Sequence, residues 1–121
     1  MVDIVPVPEF SKDLHKLRKY NSIEEDLGDF KKILIFHLKD IKKAPLDVKE
    51  LQGFGEGFLP AYKARKFSCQ YLKNKRDIRV VFTYDSYEDE IILIEIYHKN
   101  KNNRSNHNPK LVKKYLIKKK N

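Results

Sequence analysis

Lys63, Arg65 and Arg79 are the residues in this chain best suited to chemistry on a phosphate. Lys63 and Arg65 are two positions apart in an alternating segment, so their side chains leave the backbone on the same side. Arg79 lies in a second such segment, opposite in parity to Ile78, Val80 and Phe82. Three cations on one face of a rigid sheet can hold a phosphate and stabilise negative charge that develops on it. The same pattern also reads as the solvated face of an antiparallel sheet, and both readings stand at this point.

Three consecutive strands must position these residues, over 61–67, 77–84 and 90–98. Each is rich in β-branched and aromatic residues, and polar, turn-prone clusters separate them (Lys73-Asn74-Lys75-Arg76 and Asp85-Ser86-Tyr87-Glu88-Asp89). Connections this short suit antiparallel pairing. Alternation puts Ile78, Val80, Phe82 and Tyr84 on one face with Ile92, Ile94 and Ile96. The other face takes Lys63, Arg65, Arg79, Val81, Thr83, Leu93, Glu95 and Tyr97. Lys66 falls where the apolar face should continue, which predicts a bulge near it.

The apolar floor of the sheet needs a partner, and the first half of the chain supplies one. Residues 2–7 read as a short strand that Pro6 and Pro8 confine to an edge. Ser11 is positioned to cap a helix running to about Tyr20, with Leu14 and Leu17 inward. Ser22-Ile23-Glu24-Glu25 fits a capping box. Behind it Leu27, Phe30, Ile33, Leu34, His37, Leu38 and Ile41 recur at helical spacing as far as Pro45. That stripe makes His37 a hydrogen-bonded core residue rather than a ligand. After the sheet, Asn108-Pro109 opens a short last helix with Leu111, Val112, Tyr115 and Leu116 on its apolar side. The expected fold is α+β: a small antiparallel sheet packed on an N-terminal helical hairpin, with a short C-terminal helix.

At 121 residues the chain is the length of one domain with a modest core, and residues 1–121 are read as one. The net charge of +9 is unevenly placed. Acids and bases balance as far as Ile96, and beyond it stand nine Lys and Arg and no acid. The basic segment 99–121 therefore suits a polyanion: RNA, DNA, an acidic protein or an anionic membrane surface. A merely solvating tail is the alternative. No apolar run approaches the roughly 18 residues of a membrane span. The start lacks the basic-then-apolar order of a secretory signal. A single cysteine, Cys69, offers no disulfide framework, so a reducing cytoplasm is the expected location.

Several other chemistries find no footing. Leu51-Gln52-Gly53-Phe54-Gly55-Glu56-Gly57 is glycine-rich, but a helix precedes it and a strand follows. A phosphate-cradling loop needs the reverse order, so this stretch reads as a flexible connection. His15, His37, His98, His107 and Cys69 show no ligand pair at zinc spacing, and no metal or cofactor is expected. No Gly-x-Ser-x-Gly elbow occurs.

The order of elements, with certain residues in it, resembles the RelE/ParE toxin superfamily of prokaryotic toxin–antitoxin systems. The matching runs are Phe10-Ser11-Lys12-Asp13-Leu14-His15-Lys16-Leu17, Leu51-Gln52-Gly53, Tyr62-Lys63-Ala64-Arg65, Asp77-Ile78-Arg79-Val80-Val81-Phe82 and Ile96-Tyr97-His98-Lys99. The resemblance implies a metal-independent endoribonuclease that cuts mRNA, usually in the ribosomal A site, and whose partner is a cognate antitoxin. By the same resemblance Lys63, Arg65 and Arg79 match the cations of the sheet, and His98 or Lys99 the last basic or imidazole residue. Tyr97 or Tyr115 would stand for the terminal tyrosine. Lys73, Lys75, Arg76, Tyr97, Lys101 and Arg104 would contact the RNA. Some relatives poison gyrase, and others have lost activity, so a toxin or inactive relative that acts by binding alone is the alternative. Strand parity already sets His98 with the apolar floor and Lys99 with the cations.

Overall fold

A computed structural model describes residues 2–68, 77–99 and 106–117. The elements follow in the order β1 (Asp3–Pro6), α1 (Pro8–Lys16), α2 (Ile23–Phe36), a 3₁₀ segment (Leu38–Lys43), β2 (Val48–Leu51), β3 (Ala61–Phe67), β4 (Ile78–Asp85), β5 (Glu90–His98) and α3 (Pro109–Lys114). The sheet has five strands in the order β1-β5-β4-β3-β2. All neighbours are antiparallel except β1, which runs parallel to β5 at one edge. The fold is thus the expected α+β arrangement, with one strand more than the sequence suggests. That strand, β2, takes Leu51 out of the glycine-rich connection and pairs it with Ala61. It is only four residues long, too short for an alternation to show.

The helical half differs from expectation at its ends. Helix α1 begins at Pro8 rather than after Ser11. Proline at the first turn is pre-set for helix and has no amide hydrogen to lose. Ser11 already lies inside the helix, its N–H bonded to the Val7 carbonyl. The Ser22 capping box does not form: Ser22 has helical backbone angles, and its hydroxyl donates to Asp26 Oδ2 at 2.7 Å instead. Helix α2 stops at Phe36, well short of Pro45: His37 departs from helical angles, with φ of −105° and ψ of 21°, and Asp40 then breaks the following 3₁₀ segment. That break still lets Ile41 bury. His37 is half-buried against the ring of Phe36 rather than enclosed in the core.

Two apolar layers hold the sheet. On one side Phe10, Leu17, Ile23, Leu27, Phe30 and Leu34 pack on Phe67, Ile78, Val80, Phe82, Leu93 and Ile96. On the other side Val112 and Leu116 cover Leu59, Ala61, Val81, Ile94 and Tyr97. Asn108 caps α3 as the sequence predicts, accepting from the N–H of Lys110 and Leu111.

The sheet carries two irregularities. In β3, Ala64 pairs with Val80 and Phe67 with Ile78, so one extra residue bulges near Lys66, as expected. In β5, Glu95 pairs with Val81 and Leu93 with Phe82, which leaves Ile94 as an extra residue. The second bulge overturns the simple alternation of β5. Leu93 joins Ile96 under the helices, while Ile94 turns to the α3 side with Tyr97. A single inserted residue exchanges faces, because side chains alternate with period two.

Phe82 is fully buried and meets the rings of Phe30 and Tyr62. Phe82→Ala should therefore destabilise the protein by about 3–5 kcal/mol. Chemical denaturation of both proteins measures this, and a loss under about 1 kcal/mol would mean that the first core does not depend on this contact.

Candidate functional site

The face of the sheet opposite α1 and α2 is divided. α3 covers the apolar part, and the rest is an open cleft of about 590 Å³. Cations come to it from four strands or their ends: Lys49 on β2, Lys63, Arg65 and Lys66 on β3, Arg79 on β4, and Lys99 just past β5. Lys49 and Lys63 are direct cross-strand partners, and so are Arg79 and Tyr97. The β3 bulge explains why Arg65 and Lys66, adjacent in sequence, reach the same cleft. Both amides donate to the Leu46 carbonyl, at 3.0 and 2.9 Å, which fixes the extra residue.

Few acids offset this charge. Among the described residues, Asp47 is the one carboxylate lining the cleft, and it accepts from Arg65 Nη2 at 3.0 Å. Asp47 is held there with φ of 49°, in the left-handed region that aspartate tolerates better than most residues. Glu95 lies beneath, only 1% exposed, and its Oε2 accepts the N–H of Asn108 at 2.9 Å. Lys63 is pushed below the ordinary lysine range, first by burial and then by Arg79, Lys49 and Lys99, while Glu95 acts in the opposite sense. Lys63 Nζ donates to Asn106 Oδ1 at 2.6 Å.

The cleft also contains a group that strand reasoning does not reach. His107 lies in the approach to α3, held from both sides: Asn106 is bonded to Lys63, and Asn108 to Glu95. Burial, and secondly the Lys63 charge, lower the pKa of its imidazole. Its Nδ1 is buried with no hydrogen-bond partner. Nothing local in the sequence marks His107, since loop closure over the sheet brings it in. Lys49, Lys66 and Asn106 escape for the same kind of reason.

Of the residues expected at the site, Lys63, Arg65, Arg79, Tyr97 and Lys99 meet in this cleft. His98 does not. It is buried on the helical side, with Nδ1 2.7 Å from the Tyr20 hydroxyl and Nε2 3.4 Å from Asp77 Oδ2. Strand parity sends its side chain through the sheet, away from the cations, so His98 reads as a structural residue. Lys73, Lys75, Arg76, Lys101 and Arg104 lie outside the described residues. Among the described residues, no helix is long and apolar enough to cross a membrane.

Solved structures share this mixed α+β fold. No protein-family model matches the chain, and no curated protein matches it in sequence. A chain of the archaeal RelE–RelB complex from Pyrococcus horikoshii OT3 is similar in fold, with TM-score 0.57 and 19% identity over 83% of this chain and 97% of that one. A copper-bound mutant toxin from Helicobacter pylori is similar too, with TM-score 0.52 and 20% identity over 81% of this chain and 94% of that one. The fold of this protein is the RelE-like toxin fold.

The environment of His107 has a consequence for stability. Its folded pKa lies below the unfolded value of about 6.5. The neutral ring is thus the form that folding favours, and its contribution is complete above that value and lost as pH falls through the folded pKa. Between pH 7.5 and 5 the wild type should lose more stability than His107→Asn. Parallel urea melts at the two pH values check this, and an equal decline would mean that the ring is not desolvated.

Proposed function

We propose that this protein is the toxin of a toxin–antitoxin pair and acts as a metal-independent endoribonuclease on mRNA, with the ribosome presenting the substrate. The observation that carries this reading is the convergence of Lys49, Lys63, Arg65, Lys66, Arg79 and Lys99 on one open cleft. A groove of that charge tracks a phosphate backbone and releases counterions on binding.

RNA brings its own nucleophile. The 2′-oxygen attacks phosphorus, the bond from phosphorus to the 5′-oxygen breaks, and the products are a 2′,3′-cyclic phosphate and a 5′-hydroxyl. The protein must align the two oxygens, stabilise the charge on the non-bridging oxygens and move two protons. Arg79 takes the developing charge, because a guanidinium can bind two oxygens at once. Lys49, Arg65, Lys66 and Lys99 orient the flanking phosphates. Neutral His107 is suited to accept the 2′-hydroxyl proton, since its pKa is lowered. Lys63, whose own pKa is lowered, is the lysine best suited to protonate the leaving 5′-oxygen.

The partner follows from the same charge. The archaeal structure of this fold is a complex with RelB. For this chain the corresponding partner is an antitoxin with an acidic segment that covers the cleft and competes with RNA.

Arg79→Ala should reduce cleavage of ribosome-bound mRNA by roughly 10²–10³, the scale of a lost oxyanion donor. Arg79→Lys should recover only part, because a point charge cannot make the paired contact. Thermal melts of both variants should stay near wild type, since a cation lining an open cleft contributes little to stability. EDTA should leave cleavage intact once the ribosome's own magnesium is restored. Wild-type cleavage by a folded Arg79→Ala protein would remove this residue from the mechanism.

A further inference from the structure

Beside the cationic cleft lies a second, smaller hollow of about 200 Å³, formed by the end of β2 and the loop 52–60. Leu51 lines both spaces. Lys49 and Leu51 are two positions apart on β2, as are Lys63 and Ala61 on β3, so the cationic row and the hollow are separated by about 7 Å along the sheet.

The chemistry changes across that distance. Phe54, Phe58 and Pro60 wall the hollow, and the Glu50 carboxylate is turned to the other face of β2, where Lys42 holds it at 3.0 Å. Phe58 carries the Lys113 ammonium 5.1 Å from its ring centre, and Phe54 is half-buried, with one side packed against the edge of the second core. Gly53, Gly55 and Gly57 have φ of 95°, 86° and 83°. A Cβ on any of them would meet nothing within 4 Å, so backbone conformation rather than packing calls for glycine.

We propose that this hollow is a nucleobase subsite, in which Phe54 stacks on a base of the strand whose phosphates lie in the cleft. The proposal rests on the reading of the cleft as an RNA site. A phosphate row with an aromatic-walled hollow one step away reproduces the layout of a single nucleotide. Proteins that bind single-stranded RNA splay bases onto aromatic side chains, and the stacking tolerates any base because each has a π-face.

The chain has no tryptophan, so Phe54→Trp creates a single fluorescent reporter. The probes are a short 2′-O-methyl oligoadenylate, which lacks the free 2′-hydroxyl that cleavage needs, and an abasic sugar–phosphate chain of equal length. The Phe54→Trp emission should be quenched saturably by the oligoadenylate and little by the abasic chain. Phe54→Ala and Phe54→Leu should bind the oligoadenylate roughly tenfold more weakly or worse. Their affinity for the abasic chain and their log–log salt slopes should match wild type. Phe54→Leu keeps the apolar packing, so it separates the ring's role from a folding defect. Equal affinity of wild type for the two probes would overturn the proposal, and so would a loss in the variants that is the same for both. Failure of wild type to bind either probe would instead overturn the reading of the cleft itself.

Discussion

Six like charges crowded into one cleft repel one another, and the rest of the structure exists in tension with that repulsion. Two unit charges 4 Å apart cost about 1 kcal/mol in water and about 4 kcal/mol near a protein surface. Full burial of one large apolar side chain offsets about 1.5–3 kcal/mol. The sheet is gripped by such side chains from both sides, with Phe67, Phe82 and Ile96 under the helices and Val81 and Ile94 under α3. Burial on both faces holds the strands, and the cations stay where the strands put them. The concentrated positive potential that results is the property a polyanion would recognise.

Two bulges shape what the sheet presents. The β3 bulge keeps Arg65 and Lys66 together at the cleft, although neighbours on a regular strand point apart. The β5 bulge sends Ile94 to the α3 side and so completes the second core beside the cleft. Without it, Leu93 and Ile94 would exchange faces.

The C-terminal segment is structural as well as basic. Val112 and Leu116 are fully buried, and Phe58 forms a bridge with Ile117. Tyr115 and Lys114 also reach Glu9 on α1, which links the end of the chain to its beginning. In the same stretch Asn106 and Asn108 anchor His107 over the cations. One short helix thus closes a core and fixes the loop that completes the cleft.

The sequence by itself determined the local patterns. Strands 61–67 and 90–98 stand where alternation and β-branched content put them, and Asn108-Pro109 opens α3 because the caps are local chemistry. Strand parity also brought Lys63, Arg65 and Arg79 to one face and set His98 on the other, since parity depends only on counting residues. The tertiary structure decided everything that counting does not reach. A bulge shifts the count by one, and it forms only when both partner strands are in place, so the face taken by Ile94 was not legible in β5 alone. β2 is too short to announce itself and exists because β3 offers an edge. His107, Lys49 and Lys66 lie far apart in the chain, and folding alone makes them neighbours. Their proximity arises from long-range pairing and loop closure, which no window of sequence contains.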